Sequence, residues 1–145
     1  EVPPTLAVPG GNQLAFSLDA EGVQIYTCAA NGASFAWVFQ APEAKLSDVS
    51  GPAAGTHYAG PTWESTDGSK VVGAKVEGAT PDPAAIPWLL LRASSHTGSG
   101  RMGDVTFVQR IRTWGGNAPA QGCDATHVGA VARVPYRALY RFFRG

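Results

Sequence analysis

Apolar and polar residues alternate with period two through most of the chain. In "NQLAFSL" the side chains of Leu14, Phe16 and Leu18 share one face, and "GVQIYTC", "SFAWVFQ" and "KVVGAKVE" alternate in the same way. Successive side chains of a β-strand point to opposite faces, so this spacing predicts strands with one buried face. The continuous apolar run "IPWLLLRA" predicts a strand that is covered on both faces.

Glycine- and proline-rich segments such as "SGPAAG", "STDGSK", "GATPDPAAIP" and "TWGGNAPAQGCD" separate these strands. Only "APEAKLSDV" suggests a helix, of two turns at most, and "ALYRFF" fits either a strand or a short helical turn. We therefore predict an all-β fold of about nine short strands with little helix, as a single antiparallel β-sandwich or a closed β-barrel. Residues 1–13 are expected to form an extended arm, and residues 14–145 a single β domain.

The charge balance argues against partners that need a basic surface. Eleven Lys and Arg residues balance eleven Asp and Glu residues, so the formal net charge is zero. Nucleic acids and anionic membrane surfaces select basic patches, and neither is an expected partner. No apolar run approaches the roughly 18 residues of a membrane span. The chain opens at Glu1 without a methionine, which indicates a secreted (extracellular or periplasmic) protein whose signal peptide has been removed.

The two cysteines, Cys28 and Cys123, are far apart and do not form a CxxC pair. In an exported protein such a pair favours a disulfide bond. Two buried free thiols are the alternative, since unpaired cysteines are often buried.

The stretch "HYAGPTWESTDGSKVVG", residues 57–73, concentrates candidate functional residues. Asp67 and Gly68 predict a tight turn that joins two strands of a hairpin, a structural role for the aspartate. Along the first strand Trp63 and Glu64 must point to opposite faces, so one of them lines a surface or a pocket. Trp63 is either a core or groove aromatic or a stacking platform for a sugar ring. Glu64 is either a solvated strand residue or a general acid or ligand.

His57 is a candidate general base or metal ligand, with a buried, hydrogen-bonded histidine as the alternative. The histidines at 57, 96 and 127 lack the spacing of a zinc or copper motif. The chain also contains no nucleophile elbow and no phosphate-binding loop. The sequence therefore predicts no metal, no cofactor and no catalytic residue, and it favours a non-enzymatic role without deciding the question.

Two late segments add further candidates. In "FVQRIRT" Gln109 falls on the apolar face of its strand, so it should be buried and hydrogen-bonded. Arg110 lies on the other face and either joins a structural network or binds a ligand that carries a carboxylate. In "VPYRALYRF" Tyr136 and Tyr140 share a face, and their hydroxyls either line a groove or pack in the core.

The ordered set "GVQIYTC", "HYAGPTWESTDGSKVVG", "IPWLLL", "VQRIRTWGGNAPAQGCD" and "VPYRALYRFF" resembles one family. It is similar to secreted bacterial and fungal proteins grouped as a domain of unknown function, DUF 3455, from about Leu14 to Phe143. The resemblance implies an exported single domain. It implies no reaction, cofactor or catalytic residue.

Three functions remain as hypotheses. The first is an exported β domain that binds a glycan or another cell-envelope component, through His57, Tyr58, Trp63, Glu64, Arg110 and Tyr136. Aromatic side chains with a few polar groups suit such ligands. The second is a structural or self-assembling protein whose N-terminal arm adds to the sheet of a neighbouring copy. The third is a hydrolase or metal-assisted enzyme centred on His57.

Overall fold

The computed structural model describes all 145 residues and contains eight β-strands and one short 3-10 turn. The turn is Pro4–Leu6, and the strands are β1 (Gln13–Asn31), β2 (Ser34–Asp48), β3 (Ala53–Tyr58), β4 (Thr62–Ser65), β5 (Lys70–Ala79), β6 (Trp88–Thr97), β7 (Val105–Gly115) and β8 (Val131–Arg144). The predicted all-β fold is confirmed, with eight strands where the sequence predicted about nine.

The eight strands form a closed ring. Each strand pairs antiparallel with the next, and β8 pairs back with β1, so the sheet is a closed barrel. The β1–β8 register runs from Gln13 opposite Arg144 to Thr27 opposite Val131. Of the two predicted arrangements, the barrel is therefore the one observed. Closure satisfies the strand edges that an open sheet would leave unpaired.

Several predicted segments merge into longer strands, and β3 has no counterpart among the predicted segments. The predicted strands "NQLAFSL" and "GVQIYTC" are both parts of β1, and "SFAWVFQ" continues directly into "APEAKLSDV" as β2. The helix suggested for "APEAKLSDV" is wrong, because Ala44 and Leu46 are buried while Glu43 and Lys45 are exposed. That burial follows period two, as a strand requires. The ambiguous "ALYRFF" lies within β8.

The β4–β5 hairpin forms as predicted, with Trp63 opposite Val71. Trp63 is 1% exposed and belongs to the main hydrophobic core, whereas Glu64 lies on the other face of β4. Close approach of the neighbouring β3 requires Gly55, where φ is +153° and a Cβ atom would overlap the carbonyl oxygen of Glu64. The hairpin therefore places one aromatic side chain inside the barrel and one carboxylate outside.

One end of the barrel is closed by the loop at residues 98–104. The Asp67 carboxylate accepts hydrogen bonds from the Ser69 amide (2.9 Å), the Ser69 hydroxyl (2.6 Å) and the Arg101 amide (2.8 Å). The Met102 amide donates to the Ser69 hydroxyl, and the Met102 side chain is fully buried in the core. The structural role predicted for Asp67 is confirmed, and it extends to holding this loop.

The N-terminal arm packs on its own barrel. Leu6 is fully buried, and its carbonyl oxygen accepts a 2.7 Å hydrogen bond from Nε2 of Gln109. The burial predicted for Gln109 is confirmed, but its face of β7 is not the barrel interior. Its neighbour Val108 belongs to the main core cluster, and Gln109, on the opposite face, is covered by the arm.

Cys28 and Cys123 form the predicted disulfide, which closes a loop with a sequence separation of 95 residues. The bond ties the long β7–β8 connection to the β1–β2 hairpin. Trp37 supports the same contact, since its indole N–H donates to the carbonyl oxygen of Gln121 at 3.0 Å.

None of the protein's helical segments is long and apolar enough to cross a membrane.

Replacement of both Cys28 and Cys123 by alanine should lower the free energy of unfolding by about 4–5 kcal/mol, because the unfolded chain regains the entropy of a long loop. Urea denaturation followed by circular dichroism measures the loss. Reduction of the wild-type protein serves as the control and should give the same midpoint. An unchanged midpoint in the double variant would contradict the prediction.

Candidate functional site

A cavity of about 290 Å³ opens into the barrel at the end opposite Met102. Each strand contributes at least one lining residue. In strand order these residues include Gln24, Phe39, His57, Trp63, Lys75, Leu89, Arg110 and Tyr140. The turn between β3 and β4 adds Gly60 and Pro61, which are joined by a cis peptide bond. The site therefore exists only when the ring is closed.

The floor of the cavity consists of buried side chains. Gln24, His57, Trp63 and Tyr140 are each at most 3% exposed. The His57 ring stacks on the Trp63 indole, with ring centroids 4.6 Å apart and an interplanar angle of 20°. Tyr140 meets the Trp63 ring edge-on at 5.5 Å. Because Trp63 is almost fully covered by the core, it is a packing residue and offers no open face to a sugar.

A chain of hydrogen bonds connects the floor residues His57 and Tyr140 to Thr62 and Tyr136. Nδ1 of His57 lies 2.8 Å from the carbonyl oxygen of Thr62, which can only accept, so Nδ1 carries the proton. Nε2 is then an acceptor for the Tyr140 hydroxyl at 3.3 Å, and the Tyr136 hydroxyl lies 3.1 Å from that of Tyr140. Burial lowers the pKa of His57 to about 3. His57 is therefore neutral near pH 7.

The rim of the cavity is more open and carries different chemistry. Phe39 is 50% exposed, and the ring of Tyr26 supports it edge-on at 5.7 Å. Lys75 is exposed and Arg110 is half-buried. Nε of Arg110 donates to the carbonyl oxygen of Pro87 at 3.0 Å. An apolar ring and two cations thus surround the entrance.

The structure brings together some of the predicted site residues and separates others. His57, Trp63 and Arg110 line the cavity, and Tyr136 lies one hydrogen bond behind it. Tyr58 and Glu64 lie outside. There the Tyr58 hydroxyl donates to Oε1 of Glu64 at 2.7 Å, and the Lys70 ammonium is 3.9 Å from the same oxygen. Strand alternation explains the separation, because Trp63 faces inward and its neighbour must face outward.

The lining residues that sequence reasoning missed include Gln24, Phe39, Lys75 and Leu89. The sequence did contain an indication for Lys75. It lies at every second position after Val71 and Gly73 in "KVVGAKVE", and a charged residue therefore follows two buried ones on the same face of β5. Gln24 of β1 likewise lies on the same strand face as the buried residues Tyr26 and Cys28. A polar side chain at a core-facing position is a useful indication of a cavity.

The floor also contains hydrogen-bond donors without acceptors. Nε2 of Gln24 and Nε1 of Trp63 are buried and have no partner in the protein. No group of three His, Cys, Asp or Glu side chains comes together as a potential metal site. His57 has no carboxylate among its hydrogen-bond partners.

These features define a closed, eight-stranded antiparallel barrel with a ligand-sized cavity at one end. The chain belongs to the family described as "Protein of unknown function (DUF3455)", whose family model matches residues 9–144 and hence nearly the whole sequence. The resemblance noted from the sequence motifs is thereby confirmed. No curated protein and no solved structure is detectably similar to the chain.

His57 should make the stability of the protein depend on pH. Because burial lowers its pKa from 6.5 to about 3, the unfolded chain binds more protons than the folded chain between those values. The free energy of unfolding should therefore fall as the pH drops below 6.5, by roughly 3 kcal/mol at pH 4 from this group alone. Urea denaturation at a series of pH values from 7 to 4 measures this slope.

The variant His57→Phe should lose stability at pH 7, because it lacks the hydrogen bonds of the imidazole, but its pH slope should be clearly shallower. His96→Gln is the matched control, since His96 is exposed and the glutamine amide can still donate to the Val105 carbonyl oxygen. Equal slopes in the wild type and His57→Phe would show that the buried histidine does not resist protonation.

Proposed function

We propose that the protein is an exported binding protein that holds one sugar ring of a cell-envelope glycan in the barrel cavity. The observation that carries the proposal is the half-exposed ring of Phe39 beside polar side chains at the entrance of an otherwise closed cavity. Sugars combine apolar ring faces with hydroxyl groups, so an aromatic ring next to hydrogen-bonding groups is the chemistry that recognises them.

The size of the cavity supports a small ligand. Its volume of about 290 Å³ lies at the lower end of the ~300–1,000 Å³ typical of ligand pockets. One ring therefore fits this space better than a long oligosaccharide, the rest of which would extend into solvent. Gln40, exposed on the same strand as Phe39, adds an amide that can bond to ring hydroxyls.

Export is supported by the disulfide between Cys28 and Cys123. Disulfides persist in oxidising compartments and are rare in the reducing cytosol of most cells. An envelope glycan is a ligand that such a compartment supplies. The alternative of self-assembly through the N-terminal arm gains no support, because Leu6 of the arm is buried against its own chain.

The enzymatic alternative centred on His57 is less well supported than binding. A general base needs a pKa near the working pH, whereas burial lowers the pKa of His57 to about 3. Both ring nitrogens already have hydrogen-bond partners in the protein, the Thr62 carbonyl oxygen and the Tyr140 hydroxyl. These contacts support a positioning role for His57 in the cavity floor.

Binding of methyl glycosides, measured by isothermal titration calorimetry after a glycan-array screen, tests the proposal. Phe39→Ala should weaken binding roughly two- to tenfold, because an aromatic contact contributes about 0.5–1.5 kcal/mol. Leu89→Trp should abolish binding, since the larger side chain fills the cavity mouth.

Phe35→Ala is the matched control for Phe39→Ala. Phe35 lies on the same strand and is 37% exposed, but it does not line the cavity. Leu14→Trp is the matched control for Leu89→Trp, because Leu14 is exposed on β1 and does not line the cavity. Binding that is unaffected by both cavity variants, or no binding of any glycoside at millimolar concentration, would refute the proposal.

A further inference from the structure

Two positive charges at the cavity rim have no negative partner. Arg110 and Lys75 both line the cavity, and no Asp or Glu is among the lining residues. Six ion pairs exist elsewhere in the protein, and none of them includes either residue. The chain as a whole has a formal net charge of zero. The excess of positive charge at the rim is therefore a local feature and does not reflect a basic protein.

The guanidinium of Arg110 is held by one hydrogen bond through Nε, and its two terminal amino groups remain free to donate. Its Nε–H donates to the carbonyl oxygen of Pro87, which lies shortly after a turn closed by the hydrogen bond from the Ala85 amide to the Asp82 carbonyl oxygen. No other protein group accepts a hydrogen bond from Arg110, so both terminal amino groups are available. A planar guanidinium fixed in this way can bind both oxygens of a carboxylate at once.

The rest of the cavity lining adds no negative charge that would oppose an anionic ligand. His57 adds no charge, because burial lowers its pKa, an effect only partly offset by the Thr62 hydrogen bond and increased by the charge of Arg110. The cavity therefore presents two cations to a ligand and no anion.

We propose that the ligand is an acidic sugar, such as a uronic acid residue, whose carboxylate binds Arg110 with additional attraction from Lys75. The sugar ring then lies toward Phe39, on the same rim. This inference rests on the proposed function, since it names the class of sugar that the cavity selects. Its physical basis is that a charge-assisted, two-pronged hydrogen bond forms with the acid and cannot form with the corresponding neutral sugar.

Two matched probes test the selection: methyl galactosiduronic acid, with a carboxylate, and methyl galactoside, with a hydroxymethyl group on the same ring. Calorimetry on the wild-type protein at low salt should give at least about tenfold tighter binding of the acid. Arg110→Gln should remove that preference, because the variant should lose far more affinity for the acid than for the neutral glycoside. Lys75→Gln should reduce the preference by a smaller factor, and added salt should weaken binding of the acid alone.

Two surface variants control for the loss of a charge as such. Arg92→Gln and Lys45→Gln remove the same charges from exposed positions on β6 and β2 that do not line the cavity. Both should bind the two probes as the wild type does. Circular dichroism and thermal melting of Arg110→Gln check that loss of the Pro87 contact leaves the barrel folded.

The outcomes separate this inference from the proposed function. Equal wild-type affinity for the two glycosides, weakened in Phe39→Ala, would support sugar binding and overturn selection of the acid. Binding of acetate that is lost in Arg110→Gln, with no binding of either glycoside, would support the carboxylate site and overturn the sugar. No binding of either glycoside or of acetate would overturn both proposals.

Discussion

Pairing between the first and last strands of the chain holds the barrel and its cavity together. β1 hydrogen-bonds to β8 from Gln13 opposite Arg144 to Thr27 opposite Val131, and on its other edge it pairs with β2. Pairing residues so far apart in sequence carries a large loop-closure entropy. That cost is offset by the burial of core side chains from all around the ring. Because every strand supplies part of the cavity lining, the complete site requires the closed barrel.

The two ends of the barrel are built differently, and the difference creates the cavity. At one end the Met102 side chain fills the core, and the Asp67 carboxylate holds its loop in place. At the other end the β1–β2 hairpin extends beyond the ring and is joined by the disulfide at Cys28 to the β7–β8 connection. Because one end of the barrel is closed and the other is open but surrounded by the β1–β2 hairpin, the barrel contains a pocket and not a channel.

Local pattern predicted many features of this arrangement. The β4–β5 hairpin, the opposite orientation of Trp63 and Glu64 and the burial of Gln109 all follow from period two and turn chemistry. The pattern failed where strands merge, as in β1, and where the register shifts. One shift lies in β7 between Val105 and Phe107 and changes which side chains share a face. Such irregularities depend on partner strands, which alternation within one strand does not describe.

The convergence of candidate residues was harder to predict than their burial. Tyr58 and His57 are adjacent in the chain, yet only His57 reaches the cavity. Phe39 and Lys75 come from distant strands and reach the same rim as Arg110. Residues of a barrel site are brought together by the order and tilt of the strands, so their separation in sequence carries little information about their distance.

The sequence by itself determined the class of fold, the turn at Asp67 and Gly68, and the alternation that separates inward from outward side chains. The tertiary structure decided which buried face lines the cavity. In β7 both faces are covered, one by the core and one by the N-terminal arm at Leu6, so hydrophobicity alone could not distinguish them. Alternation is a property of neighbouring residues, whereas the interior of a barrel is defined only when its first and last strands meet.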